Sequence, residues 1–148
     1  MVSTVASDLA VNLSTAVLNQ NDPATVRDGA PAYLLLLDSL LENNPRDPVL
    51  LTSAATLYAT YGTVFSEDAN RASRLTQRAR EYSNMAICST YRPSCDWEGM
   101  LFTDYERTLD GLSAEDTQVM YSHGLSSLAW IRVHSADYTA IAYLPYVE

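Results

Sequence analysis

Apolar residues recur along most of the chain at three- and four-residue intervals, the spacing of a helix with one buried face. Val5, Leu9, Leu13, Ala16 and Val17 predict a first helix over residues 3–20. Asp22-Pro23 and Asp47-Pro48 each pair a capping carboxylate with proline at the first helical position, where its missing N–H costs nothing. The first pair opens a stripe of Val26, Ala30, Leu34, Leu37 and Leu41, predicting a helix over 23–42 that Asn43-Asn44-Pro45 ends. Gly29 and Pro31 lie inside it and predict a kink or short break. The second pair opens Leu51, Ala54, Tyr58, Tyr61 and Phe65, a helix over 48–65. Ser66, Glu67 and Asp68 supply the cap and first-turn acids of a helix over 68–89, with Ala72, Leu75, Ala79, Tyr82 and Ala86 inward.

Residues 91–97 read as a turn, followed by a helix over 97–109 with Leu101, Tyr105 and Leu109 on one side. Ser113-Ala114-Glu115-Asp116 resembles a capping box and opens a helix over 113–133, with Met120, Gly124, Leu128 and Ile131 expected to face in. A last helix starts near residue 136 and carries Ala140, Ile141, Leu144 and Val147 on one side. Terminal units of a repeat array need a polar outer face, and this segment lacks one. Residues after about Ser135 are therefore expected either to pack on a neighbouring chain or to be poorly held. No stretch alternates with period two for long enough to form a strand, so the fold class is all-α. Small residues beside aromatics, as in Leu51, Ala54, Ala55 and Tyr58, suit an irregular tetratricopeptide-like array of antiparallel helix pairs, one domain over 1–148. A plain helical bundle is the alternative.

Composition narrows the function. Hydrophobic residues form 47 % of the 148, enough for a core. No run approaches the ~18 apolar residues of a membrane span. The net charge is −9, from 18 acids and 9 bases, and every base is arginine. Such a surface repels phosphate backbones and anionic membranes and favours a partner with a basic patch. The N-terminus shows neither the basic segment nor the long apolar run of an export signal.

Catalytic patterns are missing from the sequence: there is no Gly-x-Ser-x-Gly, phosphate loop or dinucleotide fingerprint. His123 and His134 would share a helix face but stand about 16 Å apart along it, too far for one metal, and read as surface or groove histidines. The acids from Asp96 to Asp116 lack the oxygen ladder of a calcium loop and read as a solvated face. No metal site and no cofactor is expected. Cys88 and Cys95 flank the predicted turn and are either a disulfide or two ordinary thiols, according to compartment. A dyad of either with His123 would need a depressed thiol pKa that nothing in the pattern implies. The ten tyrosines combine apolar bodies with polar tips, which suits clefts as well as core edges. Tyr58, Tyr61, Phe65, Tyr82 and Trp130 are the candidates for a groove that takes a partner or an apolar ligand.

Three segments, taken together, carry a family resemblance. They are Asp22-Pro23 through Leu41, Leu57-Tyr58-Ala59-Thr60-Tyr61 with Phe65, and Arg71-Ala72 through Arg78-Ala79-Arg80-Glu81-Tyr82. Ala129-Trp130-Ile131-Arg132-Val133-His134-Ser135 and Ala140 through Pro145 extend it. The chain resembles the T-component family of tripartite ATP-independent periplasmic (TRAP) transporters over about residues 9–148. The resemblance implies a tetratricopeptide-like periplasmic lipoprotein, its lipid anchor outside this sequence, that associates with the substrate-binding component of such a transporter. It implies no catalytic residues, and it leaves open a homo-oligomer and a carrier role for a hydrophobic small molecule in an inter-helix groove. Members are about twice as long, so the chain is expected to match the N-terminal half. A periplasmic location favours the disulfide over free thiols.

Overall fold

The computed structural model describes residues 2–148, with side chains from residue 4 onward. Its helices are α1 (Val2–Leu18), α2 (Pro23–Asn43), α3 (Pro48–Val64), α4 (Ala69–Thr90), α5 (Phe102–Leu109), α6 (Thr117–Val133) and α7 (Tyr138–Ile141). Short 3-10 turns cover Arg92–Asp96, Ala114–Asp116 and Leu144–Tyr146. No strand occurs among the described residues, so the fold is all-α.

The aspartates punctuate the chain as the sequence predicts. Asp22 accepts from the Ala24 N–H, Asp47 from Val49 and Leu50, and Asp68 from Arg71. Each satisfies donors that the first helical turn leaves without an internal partner. The Asp116 carboxylate accepts from both the N–H and the hydroxyl of Ser113, 2.9 Å each.

α3 is the centre. It packs most extensively on α4 and also touches α1, α2 and α6. Leu50 through Ala55, Leu57, Tyr58, Ala59, Tyr61 and Gly62 are all buried, so the helix is enclosed around most of its circumference, with Thr56, Thr60 and Thr63 half-buried along one stripe. Its hydroxyls are satisfied locally: Thr56, Thr60 and Thr63 donate to carbonyls one turn back. Contacts between α3 and α4 run in opposite directions, Gly62 at Leu75 and Thr76, Tyr58 at Tyr82. α4 and α6 are likewise antiparallel, with Ser73 bonded to His134 and Arg80 over Trp130.

Three expectations need correction. First, α2 runs unbroken through Pro31. Proline removes the bond to the carbonyl four residues back, which is Arg27. The Tyr61 hydroxyl takes that carbonyl at 3.0 Å, so tertiary packing repairs the defect. Second, the helix expected over 97–109 begins only at Phe102, because the disulfide-closed turn and buried Trp97 hold the preceding residues in another path. Third, two helices are rotated from the predicted faces. α1 turns in Ala6 and Ala10 while Val5 and Leu9 are exposed. α6 turns in Val119, Ser122, His123, Ser126, Ser127, Ala129 and Ile131, leaving Leu128 exposed. Small side chains face inward because both helices approach α3 closely, and larger ones would hold them away.

The segment after Ser135 is anchored within the chain. Ala140 is fully buried, Tyr105 donates to the Tyr146 carbonyl (2.7 Å), and Tyr146 donates to Met100 (2.8 Å). It is one short helix and one 3-10 turn, not the long helix expected.

The α3–α4 crossing is the tightest test of this packing. A Cβ on Gly62 would lie 3.0 Å from the Leu75 Cβ and 3.1 Å from Thr76. Alanine gains about 1 kcal/mol of helix propensity there. Overpacking costs about 1–3 kcal/mol. Gly62→Ala is therefore expected to lower the urea midpoint at unchanged slope; a raised midpoint would show that α4 can move away freely.

Candidate functional site

The five candidate aromatics fall into three places. Tyr58 and Tyr82 meet edge to face at 5.8 Å and converge on one carboxylate. Their hydroxyls donate to Asp38 at 2.8 and 2.7 Å, and Arg78 reaches the same carboxylate at 3.3 Å. This cluster ties α2, α3 and α4 together. Burial and the Asp38 charge both disfavour a phenolate, raising Tyr58 above the ordinary tyrosine range and Tyr82 to about 12. Tyr82, Asp38 and Arg78 border a cleft of 220 Å³ with Glu42 and Met85, whereas Tyr58 itself is buried.

Tyr61 and Phe65 form the second place, with ring centroids 5.7 Å apart and the Arg71 guanidinium over the Tyr61 ring at 5.4 Å. Tyr61 is buried, its hydroxyl engaged with α2. Trp130 lies on the other flank of α4, stacked on His134 at 4.8 Å. The Arg80 guanidinium sits between Trp130 and Tyr143, 4.3 and 4.6 Å from the ring centroids, and pairs with Glu98 at 3.5 Å. The five therefore do not border one groove. Tyr58 and Tyr61 are packing residues whose polar tips close hydrogen bonds.

Sequence reading missed a second aromatic group. Trp97 is buried, donates to Thr108 (2.7 Å) and packs against Tyr91, Tyr105 and His123. Tyr91 donates to the Thr108 carbonyl. A disulfide joins Cys88 and Cys95, closing the turn that delivers Trp97 and occupying both sulfurs. Phe102, Tyr105, Leu109, His123 and Tyr146 border a cavity of 360 Å³ between α5, α6 and the C-terminal turn. The long irregular stretch 91–101 has no periodicity from which this convergence could be read.

Neither histidine is a freely exposed surface residue, and His123 lines the cavity beside α5, in keeping with the groove reading. His134 is half-buried, held by Ser73 and the Trp130 carbonyl at 2.8 Å each. His123 is buried, and its Nδ1 has no hydrogen-bond partner among the described residues. Burial, aided by the Arg80 charge, pushes its pKa down to about 4. It is a neutral imidazole at neutral pH.

The class is that of an all-α domain wrapped around one enclosed helix. A family model for the TRAP transporter T-component matches residues 19–148, and the chain belongs to that family. It is thus a TRAP-associated protein. No curated protein and no solved structure matches it. No helix among the described residues is long and apolar enough to cross a membrane.

His123 makes stability pH-dependent. Above the unfolded value of 6.5 the imidazole is neutral in both states and contributes nothing to the slope. Below it the unfolded chain binds the proton first, so stability falls by about 1.4 kcal/mol per pH unit until the folded group titrates. The loss totals about 3 kcal/mol by pH 4. His123→Gln is expected to flatten this slope in urea titrations between pH 6.5 and 4. An unchanged slope would show that His123 is accessible to protons in the folded protein.

Proposed function

We propose that this protein is a periplasmic accessory component of TRAP-type solute uptake that associates with the transporter's substrate-binding protein, and is lipid-anchored in its full-length form. Membership of the T-component family over residues 19–148 carries this reading. The charge supports it. At −9 with no lysine, the surface steers toward a partner bearing a basic patch. Side-chain chemistry supports a role by contact: the aromatic clusters cross-brace helices, Arg71, Arg78 and Arg80 stack on rings, and Arg27, Arg78, Arg80 and Arg107 pair with carboxylates. The 360 Å³ cavity beside Phe102, Tyr105 and His123 favours a second reading, a carrier for an apolar small molecule.

Immobilised substrate-binding protein from the same transporter is expected to capture this chain. Capture should weaken at least tenfold when salt rises from about 50 to 500 mM, because long-range attraction is screened. No capture at either salt concentration would overturn the association. For the carrier reading, an environment-sensitive apolar dye should bind saturably, and Leu109→Trp, which fills the cavity, should abolish binding.

A further inference from the structure

The protein has two histidines and satisfies one of them. His134 is bonded at both ring nitrogens, to Ser73 and to the Trp130 carbonyl at 2.8 Å each. His123 is only 6 % exposed, and its Nδ1 has no hydrogen-bond partner among the described residues. Burying a polar nitrogen without a partner costs stability. Its packing on Trp97 does not account for that cost, because leucine or phenylalanine would pack on the indole as well. Ser126 and Ser127 also bury hydroxyls without partners. A helical serine can turn its hydroxyl to the carbonyl one turn back, so those two have a remedy within their own helix. His123 differs in another way: it lines the 360 Å³ cavity between α5, α6 and the C-terminal turn.

That volume falls among small-molecule sites, roughly 300–1,000 Å³. Phe102, Tyr105, Leu109, Met120 and Tyr146 form the walls. Phe102 and Tyr146 meet edge to face at 5.5 Å, and Tyr105 and Tyr146 lie 5.1 Å apart. Aromatic walls of this kind suit a flat apolar ring. Both phenols already donate within the protein, Tyr105 to the Tyr146 carbonyl and Tyr146 to that of Met100. The unused hydrogen-bonding capacity of the buried wall therefore lies with His123. A neutral imidazole holds one donor and one acceptor, and a hydroxyl, which does both, can meet either nitrogen. Charge narrows the ligand further. Glu106 and Glu148 border the cavity and are exposed, and the chain carries −9 overall, so an anion is repelled. The charge of Arg80, felt at His123, opposes a cation beside the imidazole. We propose, resting on the carrier reading, that this cavity binds an uncharged aromatic molecule bearing a hydroxyl, its rings against Phe102, Tyr105 and Tyr146 and its hydroxyl bonded to His123.

Fluorescence titration of the full chain at neutral pH with naphthalene and β-naphthol, which differ by one hydroxyl, tests it. β-Naphthol is expected to bind saturably and about tenfold more tightly, the value of one hydrogen bond. Apolar walls alone would favour naphthalene, which has less hydration to give up. The anion β-naphthoate is expected to bind roughly tenfold more weakly than β-naphthol. His123→Leu removes the unpartnered nitrogen and keeps an apolar side chain there; it is expected to bind naphthalene as before and to lose the preference for β-naphthol. Should that variant not fold, the ring-nitrogen NMR signals of the unaltered chain decide: those of His123 are expected to move further with β-naphthol than with naphthalene, while those of His134 stay in place. If neither probe binds saturably, the carrier reading falls and this inference with it. The carrier reading stands, and the uncharged hydroxyl-bearing class is overturned, if naphthalene binds as tightly as β-naphthol, if β-naphthoate does, if His123→Leu keeps the preference, or if the two probes move the His123 signals equally.

Discussion

Everything in this domain depends on enclosing α3. A helix enclosed around most of its circumference must satisfy most of its polar groups within the protein, and its neighbours can come close only over small residues. Both requirements are visible. Ala54, Ala55, Ala59 and Gly62 form close-contact surfaces with no solvent exposure at the alanines. Thr56, Thr60 and Thr63 return their hydroxyls to their own helix, and Tyr58 and Tyr61 send theirs outward to α2. The Tyr61 bond also fills the gap that Pro31 opens in α2, so one enclosed helix supplies the repair for its neighbour.

Charge is used sparingly inside and in company with rings. Arg80 is buried between Trp130 and Tyr143 and reaches Glu98, so one guanidinium joins α4, α6, the loop before α5 and the C-terminal segment. Weakly hydrated guanidinium suits such a sandwich better than an ammonium would. Its charge falls on His123, which burial already keeps neutral. Asp38 plays the corresponding part at the other flank, collecting two phenols and Arg78. The Asp38 centre ties α2 and α4 to α3, and the Arg80 centre ties α4 to α6 and the C-terminal segment.

The helical content and the element boundaries near Asp22, Asp47, Asp68 and Ser113 were legible because caps and periodicity are local signals. The facing of α1 and α6 was not. Periodicity marks a stripe of large apolar residues, and the usual inference is that the stripe points inward. Here the inward stripe is Ala6 and Ala10 on α1, and Ser122, Ser126 and Ser127 on α6, residues that score as polar or neutral in isolation. Their selection follows from how near the helices stand to α3, a distance no single helix specifies. The candidate groove failed as a unit for the same reason: aromatic enrichment locates Tyr58, Tyr61, Phe65, Tyr82 and Trp130 on their helices but not on a common side.

By itself the sequence determined an all-α chain, its capped helix starts, an acidic surface and the family to which its combined segments point. Those follow from bonding within a few residues, from composition and from motif order. Tertiary structure alone decided which faces are buried, that Pro31 would not break α2, that Cys88 and Cys95 close the turn bringing Trp97 to His123, and that Gly124 lies on an open face. Each of these depends on distances between segments far apart in the chain, where the energy of close packing outweighs local preference.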